Sequence, residues 1–515
     1  MTGTVNNISK NRQLFINMLS SIVAFSVNLG INFFLTPFVV ERLGIEAYGF
    51  LGLSSNIIGY TTLITIALNS MAGRFITISY QNGKIEEANK YFSSVFFSNL
   101  VLSGIVALVL LLFLFNLEKW FEVPSNLVID VKLLFSFSIF TTLISLLGNV
   151  YAIATFIKNR LDLSSIRQII GNIIRGILVI VLFGFFPPHL WYYGLVGVVV
   201  SLYIIFTNIK FTQLLTPEFH ISVIYYDWTK VKDLLSAGVW NLVNQLGDIL
   251  GKGFNLIIAN VFISAVAMGY YSMTLTIPSL IHSLFVMISG VFAPMFTILY
   301  AQQKHDELKS ELMKAIRICG FFANIPLVCL FAFGDDFYAL WLPNEDSSKL
   351  QLLTIVGSIN SVISMPMEPL WNIFTITNRL KYSTLFIFGQ NILIFATLMA
   401  SMVFVDSSEY RLLILAGAGT FWNNVKNLTF LPLYGAHCLG IDKFTFYKPL
   451  LKSVLAFVIS LSIGILLSRL FTISTWLPFT FVVLLMVLIC LFINSAVMLN
   501  KCDRDVILKK VIKKF

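Results

Sequence analysis

Of 515 residues 57% are hydrophobic and 12% are charged, with a mean hydropathy of +0.86, which excludes a soluble globular protein and sets the class as an all-α, polytopic membrane protein. The longest polar intervals, Thr212 to Asp233 and Gly334 to Lys349, are too short to hold a folded domain, so function must sit within or between helices. The formal net charge of +10 reflects membrane topology, and no nucleic-acid partner is expected.

In chain order, residues 1–13 are polar and lack a small-residue cleavage site, so no removable leader is expected. Windows of about 20 apolar residues then give about fourteen spans: 14–39, 48–70, 92–115, 131–157, 166–186, 190–209, 234–262, 270–299, 315–334, 350–376, 382–404, 411–435, 449–469 and 475–499. They group into two pseudo-symmetric six-helix lobes, 1–222 and 223–440, followed by two further helices and a basic cytoplasmic tail over 441–515. With the N-terminus inside, most Lys and Arg fall in the cytoplasmic loops, while Glu41, Glu118, Asp130, Asp335, Glu345 and Asp406 mark the outer side. This bias places both termini in the cytoplasm.

Arg74, Arg175, Lys252 and Lys426 fall in none of these loops. Helix 1 carries Ser21, Asn28 and Asn32 on one stripe. Arg74, at the inner end of helix 2, reads equally as a phosphate-binding guanidinium or as an interfacial arginine reaching for headgroups. Arg175 in helix 5 is either a cavity residue or one that snorkels inward.

In helix 7, Asn241, Gln245, Asp248 and Lys252 step by helical spacing with Asn244 beside them. Asp248 lies about 24 Å along a helix starting at Lys232, near mid-bilayer. An ionisable group there costs about 2.5–3.5 kcal/mol and normally faces a cavity or a partner. Lys252, one turn away, offers the alternative of a local ion pair. A shift of 220 residues carries Ser21, Asn28 and Asn32 onto Asn241, Asp248 and Lys252, and Gly49 onto Gly269. The same shift carries Thr77-Ile78-Ser79-Tyr80 onto Thr297-Ile298-Leu299-Tyr300, Lys84 onto Lys304 and Glu87 onto Glu307. Such an ungapped shift is an internal duplication, as in transporters built from repeats.

Further on, His282 in helix 8 is more often a satisfied core histidine than a ligand. Glu368 sits between Pro366 and Pro369, where missing backbone donors free carbonyls for a coupling ion; a pairing with Lys426 or Arg379 explains it equally well. Helix 12 carries Asn423, Lys426 and Asn427 as a polar stripe with no neighbouring acid. The lysines of the tail, Lys501 to Phe515, suit anionic headgroups or a simple inner-side anchor. The five cysteines suggest neither disulfides nor a metal site, and no nucleotide loop, zinc spacing or serine elbow is present, so a transporter and not an enzyme is expected.

Helix 1 leading into Glu41-Arg42-Leu43-Gly44-Ile45-Glu46-Ala47-Tyr48-Gly49-Phe50, then Arg74-Phe75 and Gly83-Lys84-Ile85-Glu86-Glu87, resembles the Wzx-type polysaccharide flippases. These share a superfamily with lipid II flippases and multidrug and toxic compound extrusion pumps. Ala265 to Tyr271 and Gly334-Asp335-Asp336-Phe337-Tyr338-Ala339-Leu340-Trp341-Leu342-Pro343 echo it in the second half, and the resemblance covers residues 10–435.

The resemblance implies alternating access around a cationic cavity, and transfer of undecaprenyl-pyrophosphate-linked oligosaccharide across a bacterial inner membrane for surface polysaccharide such as O-antigen, with polymerase machinery as a partner. Arg74, Lys252 and Lys426 match the cationic positions, with Arg175, Asn28, Asn32, Asn241 and Gln245 as further substrate-facing candidates. Asp248 and Glu368 are the candidates for a coupling ion, Na+ or H+, and no other cofactor is implied. A cation-coupled drug antiporter and a lipid II flippase are the alternatives; cationic drugs call for luminal acids, whereas here the intramembrane cations outnumber them.

Overall fold

The computed structural model describes residues 10–498 apart from 291, 293, 294, 297, 298, 301, 378 and 472. The basic tail therefore lies outside the described residues, as do Thr297 and Ile298 of the repeat. Among the described residues every regular element is a helix. Within these described residues ten helices are long and apolar enough to cross a membrane, or twelve if each of two bent pairs is one span. Of the spans expected from sequence, 234–262 and 411–435 fall outside this set. The first is interrupted by a π-helical turn at Ile249–Gly253, and the second is shortened to Ser408–Leu428 and rich in polar residues.

The chain divides into two compact units, residues 1–249 with 256–269, and residues 250–255 with 270–515. This division differs from the boundaries at 222 and 440 drawn on sequence, and packing explains both differences. In the first unit, helices α1 (Lys10–Leu43), α2 (Ile45–Tyr60), α3 (Thr62–Gln81), α4 (Ile85–Phe115), α5 (Leu117–Trp120), α6 (Val128–Gly148), α7 (Ile153–Ile157), α8 (Leu161–Phe185) and α9 (Trp191–Leu215) are joined by α10 (Trp228–Asp248) and, from residue 256 on, by α11 (Asn255–Phe262). A Cβ on Gly238 of α10 would lie 1.9 Å from the Ala67 carbonyl oxygen of α3, so only glycine permits this approach. One turn on, Asn241 donates to Ser70 Oγ at 3.0 Å.

The connector before α10 is also tied down, along α4. Asn89 donates to the Glu218 carbonyl at 2.8 Å and accepts from the His220 amide at 2.9 Å. Ser94 likewise accepts from the Asp227 amide at 2.9 Å and donates to its carbonyl at 3.3 Å. Side chains of a helix thus satisfy the backbone of a segment that has no ladder of its own. Beneath them Leu68, Ile76, Phe92, Val95 and Leu234 form a buried core.

The second unit contains the rest of α12 (Ala265–Gly290), then α13 (His305–Trp341), α14 (Ser347–Ser358), α15 (Ser361–Met367), α16 (Trp371–Ile376), α17 (Leu380–Phe404), α18 (Ser408–Leu428), α19 (Phe430–Leu439), α20 (Tyr447–Leu470) and α21 (Trp476–Met498). Helices α20 and α21, set apart on sequence as a third piece, pack along α13. The fully buried Asn324 of α13 donates to the Ser453 carbonyl of α20 at 3.0 Å and to Asn494 Oδ1 of α21 at 3.3 Å. In the apolar interior such bonds fix register, because an unmet polar group there is costly.

The duplication is visible in backbone geometry. Gly83 and Gln303, 220 residues apart, both adopt positive φ, 75° and 58°. The next amides, Lys84 and Lys304, each donate five residues back, to Ser79 and Leu299, at 3.0 Å. Each lysine then pairs with the glutamate three residues on, Glu87 and Glu307. A further repeat escapes the uniform shift: Asn159-Arg160-Leu161 and Asn378-Arg379-Leu380 precede α8 and α17. The Arg160 amide donates to Thr155 at 2.8 Å and the Arg379 amide to Phe374 at 2.9 Å.

Candidate functional site

The second unit encloses a cavity of about 430 Å³ whose wall brings together Lys252, His282, Glu368 and Lys426. Each arrives from a different local structure. Lys252 rides on the π-helical turn, where the i→i+5 pattern inserts one residue and re-aims the side chains that follow. That turn is pressed on α17: a Cβ on Gly251 would lie 2.2 Å from Asn391 Oδ1.

Glu368 opens a 3-10 turn, Glu368–Leu370, between α15 and α16, and α14 is bent by 41° from the segment that follows it. Pro366 and Pro369 account for the irregular backbone here. Glu368 is half-buried and makes no ion pair among the described residues, although Lys426 and Lys252 both act on it electrostatically. The expected alternative of a paired glutamate is therefore not what the structure contains.

Lys426 is positioned on two sides. Its Nζ donates to Asn423 Oδ1 at 3.0 Å and lies 5.3 Å from the centroid of the Trp371 ring. The same Asn423 oxygen accepts from Gln390 Nε2 at 3.0 Å, joining α17 to α18. At another part of the wall the buried Asn255 donates to the Tyr271 hydroxyl at 2.8 Å, and its Oδ1 has no partner. Sequence reading overlooked Trp371, Ser279, Ser283 and Thr420, all of which line the cavity. Ser279 and Ser283 flank His282 at a spacing of four, the signal that marks their shared face.

His282 corrects an expectation. It is exposed on the cavity wall and makes no hydrogen bond among the described residues, so it is not a satisfied core histidine.

The remaining candidates belong to the first unit. Helices α1 and α8 run parallel and pair polar side chains at a nearly constant sequence separation. Ser21 meets Ser165 at 3.4 Å, Asn28 donates to Asn172 Oδ1 at 3.2 Å, and Arg175 donates to Asn32 Oδ1 at 3.0 Å. Asn32 in turn donates to Asn28 at 3.0 Å. The helix 1 stripe thus serves α8, and Arg175 is drawn toward Asn32, with its buried Nε unpartnered. Arg74 is exposed and lines a second cavity of about 500 Å³ with Asn69, Ser70, Thr77 and Asn149. Gln245 is half-buried on α10, and Asp248, exposed at its end, makes no ion pair among the described residues.

Comparison with known proteins agrees with this architecture. The chain is 28% identical over 510 residues to the uncharacterized membrane protein EpsK of Bacillus subtilis (strain 168), covering 97% of this chain and 98% of the relative. It is 22% identical over 349 residues to the probable flippase AglR of Haloferax volcanii, covering 65% and 67%. Among solved structures, the lipid II flippase MurJ in its inward closed conformation matches with a TM-score of 0.65 at 13% identity, over 96% of this chain and 100% of that one. An inward-facing multidrug resistance MATE family transporter of the MOP superfamily matches with a TM-score of 0.63 at 14% identity, over 83% and 97%. These two likenesses identify the fold. The sequence match to the polysaccharide biosynthesis protein family runs over residues 43–340, more than half of the chain, and the chain belongs to that family.

Proposed function

We propose that this protein is a flippase that moves undecaprenyl-pyrophosphate-linked oligosaccharide from the cytoplasmic to the outer leaflet of a bacterial inner membrane by alternating access, supplying polysaccharide polymerase machinery. The observation that carries the reading is the charge of the second unit's cavity. Lys252 and Lys426 face it with one carboxylate, Glu368, and the rest of the wall is largely Ser, Thr, Asn and Gly. A diphosphate drawn into such a space without counter-charge would cost several kcal/mol, and two ammonium groups remove that penalty. Hydroxyl and carboxamide groups suit the hydroxyls of a sugar. The relative named a probable flippase and the lipid II flippase of the same fold support a lipid-linked cargo.

A cation-coupled drug antiporter is the second reading, favoured by the MATE fold. It fits the charge less well, since a cationic drug would meet two lysines for one glutamate. Replacement of Lys252 or Lys426 with alanine tests the choice. In cells depending on this protein, each variant should reach the membrane yet deliver at least about tenfold less lipid-linked oligosaccharide to the outer leaflet, the loss expected for one charge-assisted contact. Unchanged delivery by both variants would remove the lysine cavity from the mechanism.

A further inference from the structure

The proposed cargo makes the charge balance of the cavity informative, and the inference that follows rests on that functional reading. Among the described residues, the titratable groups on the wall are Lys252 from the π-helical turn, Tyr271 and His282 from α12, Glu368 from the turn after α15, and Lys426 from α18. Tyr271 is hydrogen-bonded to Asn255 and stays neutral near pH 7. With a neutral imidazole, two ammonium groups and one carboxylate leave a single positive charge. A diphosphate brings about two negative charges, so the filled cavity keeps one uncompensated negative charge. Imidazole is the side chain whose ordinary titration falls near physiological pH.

His282 is placed to supply the missing charge. Its ring is open to the cavity and has no hydrogen-bond or ion-pair partner among the described residues, so neither nitrogen is committed to the protein. Ser279 and Ser283 line the same cavity, their hydroxyls donating to the Thr276 and Ser279 carbonyls of their own helix at 2.9 and 2.8 Å, so neither takes the imidazole as its acceptor. Lys252 and Lys426 line the same cavity, so an anion held by the two ammonium groups also lies in the space that the imidazole faces.

We infer that His282 takes up a proton when an anionic headgroup enters the cavity and gives it up when the headgroup leaves, so that substrate binding is linked to one proton. The step is proton transfer alone: a proton from water or buffer is gained by an imidazole nitrogen as the anion enters, and returned on release. This assigns proton linkage to an imidazole in α12, separate from the carboxylates Asp248 and Glu368.

The test is binding of farnesyl diphosphate to the full-length protein in lipid nanodiscs, by calorimetry in buffers of different ionisation enthalpy between pH 6 and pH 8. The wild type should take up about one more proton per ligand than the His282→Gln variant, and the ratio of their affinities should fall about tenfold for each pH unit between pH 6 and pH 8. Comparing the two proteins cancels the titration of the ligand's own phosphate. His282→Lys, charged throughout, should bind at pH 8 as the wild type binds at pH 6, and it carries the test if the glutamine variant does not fold. Proton uptake and pH dependence that are the same in wild type and both variants would overturn the inference while leaving the flippase reading intact. A wild type that binds no diphosphate at any pH would overturn both.

Discussion

Gly49 and Gly269, equivalent under the 220-residue shift, touch one another inside the first unit: a Cβ on Gly49 would lie 3.0 Å from both the Cα and the N of Gly269. The contact is closer from the other side, where a Cβ on Gly269 would lie 2.5 Å from the Ile45 carbonyl oxygen. Within a membrane, apolar contact with lipid is as good as contact with protein, so helices associate by close backbone approach through small residues.

That asymmetry makes a prediction. Gly269→Ala forces backbone apart and should destabilise by about 1–3 kcal/mol, whereas Gly49→Ala needs only a small shift and should cost less. Thermal unfolding of the purified protein in detergent checks the order. Melting temperatures equal to that of the wild type in both variants would mean that the glycine contact does not bear on stability.

Arg74 is the next case. It faces the cavity of the first unit, exposed and beside Ser70, whose hydroxyl is held by Asn241. If it meets a phosphate, Arg74→Ala should lower transport and Arg74→Lys should restore it only in part, because lysine keeps the charge and loses the planar pair of donors. Full activity of the lysine variant would reduce the role to a point charge. Full activity of the alanine variant would reduce it to an interfacial anchor.

The start of α10 carries a third prediction. Lys230 Nζ contacts Glu87 Oε1 at 2.7 Å and lies 4.8 Å from the centre of the Tyr91 ring. The hydrogen bond to Glu87 raises the Lys230 pKa above its ordinary value. A raised value stabilises the folded state fully below the ordinary lysine pKa, and the contribution disappears as pH rises through the raised one. Both side chains are partly exposed, 19% and 31%, so water screens the pair and its worth is about 0.5–1 kcal/mol. A double-mutant cycle with Lys230→Met and Glu87→Gln should recover that coupling at pH 7 and lose it at strongly alkaline pH. A coupling unchanged by alkaline pH would count against this assignment.

The fold class was legible because lipid imposes a simple rule: apolar windows become helices, and charges gather in loops. The duplication was legible too, since Gly83 and Gln303 turn the chain the same way despite their different side chains. Periodicity brought Lys252, Glu368 and Lys426 into view one helix at a time, but no local pattern says that they share a cavity. The helix 1 stripe shows the opposite limit. Asn28 and Asn32 looked like cavity residues because polar groups in a span need partners, yet Asn172 and Arg175 provide them within the same unit. His282 was misjudged for a related reason: a lone histidine among Leu, Ser and Ile has the same local sequence whether its neighbours are packed or absent. The π-helical turn under Lys252 left no signal beyond Gly251 and Gly253, and it is what re-aims the lysine.

Coupling to an ion gives the last prediction, and it separates binding from turnover. Among the described residues Glu368 is the one carboxylate on the wall of the lysine cavity, held on a turn between prolines, whereas Asp248 ends α10 in the first unit, exposed. A carboxylate that faces two ammonium groups without a direct ion pair has two uses. It lowers the affinity for an anionic cargo, which favours release, and it offers an oxygen to Na+ or a site to H+. Glu368→Gln removes both. The variant should bind diphosphate more tightly than the wild type, since two lysines are then unopposed, yet turn over more slowly, with no dependence on Na+ and with only the pH dependence that His282 supplies. Asp248→Asn, if Asp248 carries the ion instead, should abolish that dependence without tightening binding. Proteoliposomes with each ion gradient imposed separately measure the dependence, and calorimetry measures the affinity. Should both variants transport with the ion dependence of the wild type, the energy source would lie outside these two carboxylates.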